Sequence, residues 1–318
     1  MSAPVSLGPE DMAGSHQLLR VVDALAEAFA DLSAGRVSSP PRTVVPHDGQ
    51  RELLTATSVW ERHGVGSVKI TTLTPGNPDR GLPLIHGIVA LTDLDTGRIV
   101  ALLEGAGLTA VRTAAAAALA TRLCAPADAA DLAVLGAGAQ ARALVPAMAA
   151  VRPVRTVRVF SRTPERTARF ARWISDTTDG RVRTVVCDTA EDAVSDAALI
   201  CTATSTSGRQ PLVEAGWVRP GAHVNVIGGT HEDALEVDPA LLAQAFVTVE
   251  DRAAACAEAG EVRAALAGGL IDAHALHELG ELVTGTAGPM GRTSVFRSVG
   301  MAIEDTAAAA ALAAGART

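Results

Sequence analysis

The sequence has no tyrosine, a single lysine and an aromatic content of only 3% over 318 residues. The absence of tyrosine excludes every mechanism that needs a phenolic acid, including the Tyr-Lys pair of some dehydrogenases. The four cysteines, Cys124, Cys187, Cys201 and Cys256, contain no CxxC pair. Zinc and redox motifs are therefore excluded, and no metal site is predicted.

Positive charge is also scarce. Lys and Arg together number 27 against 35 Asp and Glu, which gives a net charge of −8. The arginines are spread singly along the chain, so a nucleic-acid partner is not expected. No run approaches the ~20 apolar residues of a membrane span, and the first residues lack the basic and apolar segments of a signal peptide. These features predict a cytoplasmic protein with reduced thiols and no membrane partner.

The single lysine, Lys69, stands against 27 − 1 = 26 arginines. This Ala-, Arg- and Gly-rich composition is typical of a bias toward GC-rich codons, under which surface lysines drift to arginine. A lysine that persists is a candidate for a task that arginine cannot perform, because a lysine can be tuned to titrate. The alternative is that Lys69 persists by chance on the surface.

The 48% hydrophobic content supports a large core, and the length suggests about two domains of ~150 residues. A helical period covers residues 17–34, short β-branched runs with a hairpin turn at 95–97 cover 43–103, and a helix covers 110–124. From residue 125 strands and helices alternate, which indicates a parallel, doubly wound sheet, and a last helix is expected over about 297–314. The predicted class is α/β: a Rossmann-type domain over 119–297, and an α+β domain with a mixed or antiparallel sheet over 1–118 and 298–318.

A glycine-rich turn opens the first helix of the alternating region. The strand ADLAVLG leads into GAGAQA at 136–141, a GxGxxA pattern at the start of a helix. Gly136 permits the tight turn, Gly138 lets the backbone approach a pyrophosphate, and the free N–H groups of the helix start bind it. This context predicts a dinucleotide site, and the alternative is a glycine-rich turn in an empty domain. The predicted cofactor contacts here are Gly136, Gly138, Ala139 and Gln140.

The next strand end distinguishes the two nicotinamide cofactors. NAD sites place Asp or Glu there for the ribose 2′-hydroxyl, whereas this sequence has Ser161, Arg162 and Thr163. A guanidinium and two hydroxyls suit a 2′-phosphate, so NADP(H) is predicted, with NAD(H) as the alternative if Arg162 stacks on adenine. Later strand ends should face the nicotinamide, unless they are ordinary loops. The residues predicted there are Thr202, Ala203, Thr204, Val226, Gly228 and, from the segment VFRSVG, Ser298.

Three cations of the first domain stand in otherwise apolar settings. Arg42 follows two prolines, Lys69 lies within GSVKITT, and Arg112 lies in an alanine-rich helix. Two guanidiniums and an ammonium in one cleft would bind a carboxylate strongly. Spacing alone does not show that they meet, and each one taken singly is compatible with a solvated surface position. Further candidates for lining the pocket are Thr71, His86, Thr230 and His231.

In order and spacing, several segments resemble the ornithine cyclodeaminase/mu-crystallin family over about residues 15–314. They are PPRTVVP, GSVKITT, GLTAVRTAAAAALA, AVLGAGAQA, VFSRTPERTARF, NVIGG and TSVFRSVGMAIEDTAAA. The resemblance implies a Rossmann domain plus a second domain that binds substrate, forms a homodimer and receives the last helix. It also implies that Arg42, Lys69 and Arg112 hold the α-carboxylate of an amino or imino acid, whose α-carbon exchanges hydride with the cofactor.

One position departs from the cyclodeaminase pattern. Members that cyclise diamino acids carry an aspartate after the NxxGG-type stretch, where this chain has Thr230. Threonine does not act as a base near neutral pH, although the neighbouring His231 can titrate there.

The resemblance therefore favours NADPH-dependent reduction of an α-imino acid to an α-amino acid. In this hypothesis Lys69 keeps the imine nitrogen protonated, and a positive cluster lowers the Lys69 pKa enough for proton exchange. The first alternative is an amino acid dehydrogenase that releases a keto acid. The second alternative is a cyclodeaminase, and the third is a non-catalytic NADP(H)-binding protein.

Overall fold

The structure is a computed structural model that describes residues 3–47, 51–77, 80–205, 208, 210–229, 233–286 and 288–316. The chain divides into two compact units. One consists of Met1–Ala115 with Gly300–Thr318, and the other of Ala116–Val299. None of the helices in these described ranges combines the length and the apolar character that crossing a membrane requires.

The elements follow one another along the chain. The strands are β1 (Val5–Leu7), β2 (Val37–Ser38), β3 (Thr43–His47), β4 (Arg51–Trp60), β5 (Val65–Leu73), β6 (Ile85–Asp93), β7 (Ile99–Glu104), β8 (Asp131–Leu135), β9 (Thr156–Phe160), β10 (Arg183–Val186), β11 (Leu199–Thr202), β12 (His223–Val226), β13 (Phe246–Val249), β14 (Leu276–Glu278) and β15 (Ser294–Arg297). The helices are α1 (Ser15–Ser33), α2 (Gly105–Cys124), α3 (Ala139–Val151), α4 (Pro164–Thr177), α5 (Ala190–Val194), α6 (Pro239–Gln244), α7 (Arg252–Glu258), α8 (Gly260–Ala267), α9 (Leu279–Val283) and α10 (Ala302–Gly315).

The first unit is built on a mixed sheet of seven strands. Its order is β1-β7-β6-β5-β4-β2, with β3 paired to the first half of β4. Strand β1 runs parallel to β7, whereas the other neighbours are antiparallel. Strands β6 and β7 form the predicted hairpin, where Gly97 adopts φ +69° and the Asp93 carboxylate accepts from the Thr96 N–H at 2.9 Å. The α+β prediction with a mixed sheet is thus confirmed.

One face of this sheet is covered by helices. Helix α10 lies against β4, β5 and β6, and α1 packs on α10. The buried layer between them includes Phe29, Val89 and Leu103. Because alternate residues of a strand point to opposite faces, β5 turns Lys69 toward the covered face and Ile70 toward the other.

The second unit is a doubly wound sheet of eight parallel strands in the order β10-β9-β8-β11-β12-β15-β13-β14. All its pairings are parallel, which confirms the Rossmann-type prediction. Strands β9 and β10 are added on one side of β8, and the chain then crosses to add β11 and β12 on the other side, so the strand order switches between β8 and β11. Ligands of such sheets bind outside the carboxyl ends of the strands at this switch point.

Several elements differ from the sequence prediction. Helix α2 begins at Gly105 rather than at 110, and the last helix begins at Ala302 rather than at 297. Strand β15, an inner strand between β12 and β13 that ends at the predicted helix start, was not predicted, and neither was β14. Strand β15 is only four residues long and ends on a charged Arg297, so neither alternation nor an apolar run marks it. The arginine is tolerated in a buried strand because it pairs there with Glu261.

Candidate active site

The glycine turn of the second unit connects β8 to α3. Gly136 has φ +116°, a conformation that side-chain-bearing residues rarely adopt, and its N–H donates to the Phe160 carbonyl at 2.8 Å. A Cβ here would overlap the carbonyl oxygen of Ala203, so glycine lets the ends of β8 and β11 approach closely. A Cβ at Gly138, by contrast, would meet no atom within 4 Å. That space leaves room for a ligand against the backbone.

The start of α3 presents its backbone donors at this turn. Gly138 is the N-cap, and its own lack of a side chain leaves the first N–H groups of the helix without a side-chain cap. Gly138 and Ala139 are exposed, and Gln140 is half-buried. Free N–H groups and the positive end of the helix dipole favour an anion. The residues present therefore fit the pyrophosphate of a dinucleotide.

Neighbouring strands end at the same edge as the turn. The Ala203 N–H donates to the Leu135 carbonyl at 2.8 Å, and the Gly228 N–H donates to the Thr202 carbonyl at 3.1 Å. The Ser298 N–H donates in turn to the Val226 carbonyl at 3.0 Å. The structure thus brings together these predicted residues: Gly136, Thr202, Ala203, Thr204, Val226, Gly228 and Ser298.

A buried ion pair that the sequence analysis missed supports the end of β12. The Arg297 Nε lies 2.8 Å from the Glu261 Oε2, and both side chains are buried. Arg297 also donates to the carbonyls of Gly228 at 2.9 Å and Gly229 at 2.8 Å. This guanidinium therefore fixes the backbone that leads to Thr230.

A second buried carboxyl supports the end of β11. Glu236 contacts the Thr204 hydroxyl, and its backbone N–H donates to Glu261 at 2.6 Å. Burial raises the pKa of Glu236, and hydrogen bonds from Thr204 and Thr202 oppose that rise only in part. A Cβ on Gly228 would overlap the Glu236 carboxyl and the Thr204 carbonyl, so glycine is required for these strand ends to meet.

The segment after β9 carries the residues predicted for the 2′-phosphate. Arg162 and Thr163 are exposed. The Ser161 hydroxyl lies 2.7 Å from the Thr167 hydroxyl and donates to the Thr163 carbonyl at 3.1 Å. Ser161 is therefore engaged in holding the start of α4, and recognition of a 2′-phosphate by this segment stays a prediction.

Lys69 lies on the helix-covered face of the first unit's sheet. Its Nζ donates to Thr109 Oγ1 at 2.6 Å and to Asp305 Oδ1 at 3.0 Å, and its side chain is 11% exposed. An ammonium has three N–H donors. Within the part of the chain that the structure describes, the third N–H of Lys69 has no acceptor. The lysine is thus held in place with one donor left for a ligand.

The pKa of Lys69 is lowered. Burial is the main cause, and the positive charge of Arg112 adds to it, whereas Asp305 and Glu304 oppose it. The direction agrees with the expectation of a titratable lysine. The physical cause differs from that expectation, because desolvation outweighs the positive cluster that the sequence suggested.

Arg112 reaches the same place from α2. Its Nη1 donates to Glu304 Oε2 at 3.0 Å, and its Nε lies 3.6 Å from Asp305 Oδ1. Gly300 packs on the guanidinium so closely that a Cβ there would come within 2.9 Å of both terminal nitrogens. Because Asp305 contacts both cations, the structure brings Lys69 and Arg112 together.

The other predicted residues fall in different places. Arg42 is exposed and directly precedes β3, where Thr43 pairs with Thr55. This register puts Arg42 level with Ala56, the partner of Lys69. Thr71 is on the face of Lys69, whereas His86 pairs with Thr72 on the opposite face. Thr230 and His231 lie outside the described residues.

Three partners of the cation cluster were not predicted: Thr109, Glu304 and Asp305. Glu304 is 0% exposed and Asp305 3% exposed, although both lie in an alanine-rich helix. Buried charges in an apolar helix must be paired, and this adjacent pair in AIEDTAAA is the signal that the sequence carried. Their place in the first turn of α10 also suits the helix dipole.

The fold and the two clusters define a class of protein. A doubly wound unit has a glycine turn at its switch point, and an α+β unit buries a lysine and an arginine beside acids. Such a chain is a two-domain dinucleotide-binding protein. A family model, the ornithine cyclodeaminase/mu-crystallin family, matches residues 7–316.

Similar proteins agree with this match. The ketimine reductase mu-crystallin of Mus musculus is 35% identical over 315 residues, covering 96% of each chain. The structure of Thermococcus litoralis Δ1-pyrroline-2-carboxylate reductase in complex with NADH and L-proline is 30% identical with a TM-score of 0.90, covering 98% of this chain and 97% of that one. An archaeal alanine dehydrogenase dimer with bound NAD is 26% identical with a TM-score of 0.87, covering 99% and 96%. The chain belongs to the ornithine cyclodeaminase/mu-crystallin family.

Proposed function

We propose that the protein reduces an α-imino acid to an α-amino acid with NADPH. The broader class, an NAD(P)-dependent oxidoreductase acting on CH–NH groups, follows from its family and its reductase relatives. The observation that carries the finer proposal is the buried Lys69, which is held by Thr109 and Asp305 with one donor unused. A lysine in that state can both bind an anion and exchange a proton.

The substrate carboxylate is held by the cations of the first unit. Lys69 and Arg112 are balanced by Glu304 and Asp305, so these four groups sum to no net charge. Arg42, which the register puts level with Ala56, the partner of Lys69, is proposed as the third cation that contacts the carboxylate. Fixed donors of this kind orient the α-carbon, and orientation supplies much of the rate in such reactions.

Lys69 also controls the proton on the imine nitrogen. A protonated imine accepts hydride far better than a neutral one. Because burial lowers the pKa of Lys69, the ammonium gives up a proton more readily than a solvated lysine does. Asp305 and Thr109 keep its Nζ in position during this exchange.

The cofactor is held by the second unit. Gly136, Gly138 and the start of α3 take the pyrophosphate, and Arg162 takes part at the ribose. When bound, the nicotinamide supplies the hydride that adds to the substrate α-carbon. NADPH is preferred because residues 159–163 contain no acid to accept a ribose 2′-hydroxyl.

The second candidate function is an amino acid dehydrogenase that releases a keto acid. The observation that favours it is the likeness to an alanine dehydrogenase over nearly the whole chain. Such an enzyme would use the same cations for the same carboxylate. It differs in reacting with free ammonia and a keto acid.

Steady-state assays separate the candidates. The purified protein is given NADPH or NADH with Δ1-pyrroline-2-carboxylate, or with pyruvate and ammonia, and oxidation of the cofactor is followed by absorbance. Turnover of the cyclic imine with little turnover of pyruvate supports the proposal. The reverse result supports the dehydrogenase, and NADPH binding without oxidation of any imine would favour a non-catalytic binder.

The Lys69→Arg variant tests the proton role. Arginine keeps the positive charge but does not titrate, so the variant should bind the carboxylate and lose most of its turnover. Full turnover across the pH range would show that Lys69 has no acid-base role.

The protein is further proposed to be a homodimer. The face of the first unit's sheet that helices leave uncovered carries apolar residues 40–52% exposed, among them Val45, Leu53 and Ile70. An exposed apolar face of this extent is typical of a protein interface.

A further inference from the structure

A cavity of about 230 Å³ opens beside the glycine turn and is lined by Ala137, Arg142, Arg166 and Arg169. Ala137 lies between Gly136 and Gly138, within the turn itself. Arg142 comes from the first turns of α3. Arg166 and Arg169 come from the first turns of α4. The cavity therefore joins the pyrophosphate turn to the helix that follows β9, and it lies wholly within the second unit.

Three arginines converge on this cavity. Over the part of the chain that the structure describes, no carboxylate forms an ion pair with Arg142, Arg166 or Arg169. The guanidinium of Arg142 lies over the ring of Trp173, 5.2 Å from its centroid, which fixes its orientation through a cation–π contact. Like charges that converge without a counter-charge favour an anion between them.

The position of the cavity indicates which anion it takes. In a doubly wound sheet the turn after the first strand binds the pyrophosphate, and the end of the second strand binds the adenosine ribose. The cavity is bounded by the turn on one side and by α4, directly after the second strand β9, on the other. A group attached to that ribose is the anion expected at such a place.

The residues predicted from the sequence do not suffice for this group. The Ser161 hydroxyl already donates to the Thr163 carbonyl, and Arg162 does not line the cavity. The three arginines that do line it offer guanidinium donors, which match phosphate oxygens in pairs. Their phosphate-binding potential was not visible in the sequence, because α3 and α4 are separate elements there.

We propose that this cavity binds a phosphomonoester, the 2′-phosphate of NADP(H), and that Arg142, Arg166 and Arg169 decide the preference for NADP(H) over NAD(H). The identity of the ligand rests on the proposed function. Arg166 and Arg169 are one helical turn apart on α4, so both reach the same phosphate. Arg142 lines the same cavity from α3.

Binding measurements test the proposal without any turnover. The probes are NADPH and NADH, and adenosine 2′,5′-bisphosphate against AMP, titrated by calorimetry. The variants are Arg166→Gln, Arg169→Gln and the double variant, which leave the Arg142–Trp173 contact intact. The matched control is Arg172→Gln, an exposed arginine of the same helix outside the cavity lining.

Each single variant should weaken the binding of NADPH and of the bisphosphate about 10-fold, because each removes a charge-assisted hydrogen bond. The double variant should weaken it more. The affinities of the cavity variants for NADH and AMP, and all affinities of the Arg172→Gln control, should change less than about 2-fold, as expected for a surface charge. An equal loss for NADPH and NADH would assign the arginines to the shared diphosphate and overturn the proposal. Unchanged NADPH affinity in the double variant would also overturn it.

The two proposals fail in different experiments. If the wild-type protein binds NADPH through the arginines but reduces no imino acid, the proposed function fails and the cavity assignment stands. If it reduces imino acids but the double variant still discriminates NADPH from NADH as the wild type does, only the cavity assignment fails.

Discussion

Asp305 shows how one carboxylate sets the properties of a cation site. It touches the Lys69 ammonium at 3.0 Å and lies 3.6 Å from the Arg112 Nε, and it is nearly fully buried. In water such contacts contribute little, but in a desolvated site the same Coulomb energy is several times larger. The carboxylate therefore keeps Lys69 charged against the burial that lowers its pKa.

We expect Asp305→Asn to lower the pKa of Lys69 further, because the opposing negative charge is lost while the burial remains. If the protonated lysine is the active form, kcat/KM of the variant should fall at a lower pH than in the wild type. The measurement is the pH profile of kcat/KM for the cyclic imine. An alkaline limb at the same pH in both proteins would contradict this role of Asp305.

His223 is a buried residue whose effect is on stability rather than on chemistry. It is fully buried in β12, and its ring nitrogens contact Ser294 at 2.8 Å and Asn225 at 3.3 Å. Burial lowers its pKa from 6.5 to about 3. Below pH 6.5 the unfolded chain therefore binds a proton that the folded chain does not.

The free energy of unfolding should consequently fall as the pH drops from 6.5 toward 3, by about 1.4 kcal/mol per unit from this group. Urea denaturation at pH 7 and pH 5 gives the difference in the wild type. In His223→Asn that difference should be smaller by about 2 kcal/mol, whatever the variant's stability at pH 7. Equal differences in the two proteins would show that His223 does not carry the effect.

At this scale the sequence predicted the cations better than their partners. Lys69 was identifiable because a lone lysine in an arginine-rich chain is unusual, and Arg112 because it lies in an apolar setting at the start of an alanine-rich helix. Thr109 and Asp305 were not, since a threonine in a helix and an acid at a helix start are common. Only the fold shows that α2 and α10 bring them to the same strand.

At the scale of elements, Arg152 shows how a helix end is secured. Its guanidinium donates to the carbonyls of Thr121 at 2.7 Å, Ala125 at 2.8 Å and Pro126 at 2.8 Å. These carbonyls lie in the last turn of α2 and in the two residues after it. Two of them also accept a backbone N–H, Thr121 from Ala125 at 3.0 Å and Pro126 from Ala129 at 3.2 Å. A cation there also suits the negative end of the helix dipole.

Arg152→Gln should destabilise the protein by roughly 2–3 kcal/mol, since it removes several hydrogen bonds that a charged donor makes to backbone carbonyls. Arg152→Lys keeps the charge but lacks the planar set of guanidinium donors, so its stability should lie between those of the wild type and Arg152→Gln. Arg155→Gln, an exposed arginine three residues further on, is the control and should change stability by less than about 0.5 kcal/mol. Urea denaturation measures all three, and a loss in the control as large as in Arg152→Gln would point to a general charge effect.

Elements were predictable where they are long or regular. The alternation from β8 to β13 and the β6–β7 hairpin follow from patterns that the sequence carries openly. Strand β15 does not, because its place between β12 and β13 is set by pairing with two distant strands. Local propensity contains no information of that kind, so this four-residue inner strand was not predicted.

At the scale of the whole molecule, the face of the first unit's sheet that helices leave uncovered has the character of a protein interface. The register places its apolar residues on one side: Val45 pairs with Leu53, and Ile70 pairs with Ile88. These four side chains are 40–52% exposed. A sheet with one covered face normally turns polar residues to water on the other, whereas here these apolar side chains share that face with Thr72 and His86.

We expect a glutamate on this face to prevent self-association. Val45→Glu places a charge on the edge strand β3 of this apolar surface, where desolvating the charge in an interface would cost far more than the contact returns. Val186→Glu is the matched control, because Val186 is also a strand valine with 52% exposure but belongs to the second unit. Light scattering after size exclusion should give about 65 kDa for the wild type and the control, twice the chain mass of 32.4 kDa, and about half of that for Val45→Glu. A wild type at the mass of one chain, or a Val45→Glu variant that keeps the doubled mass, would remove this face from the interface.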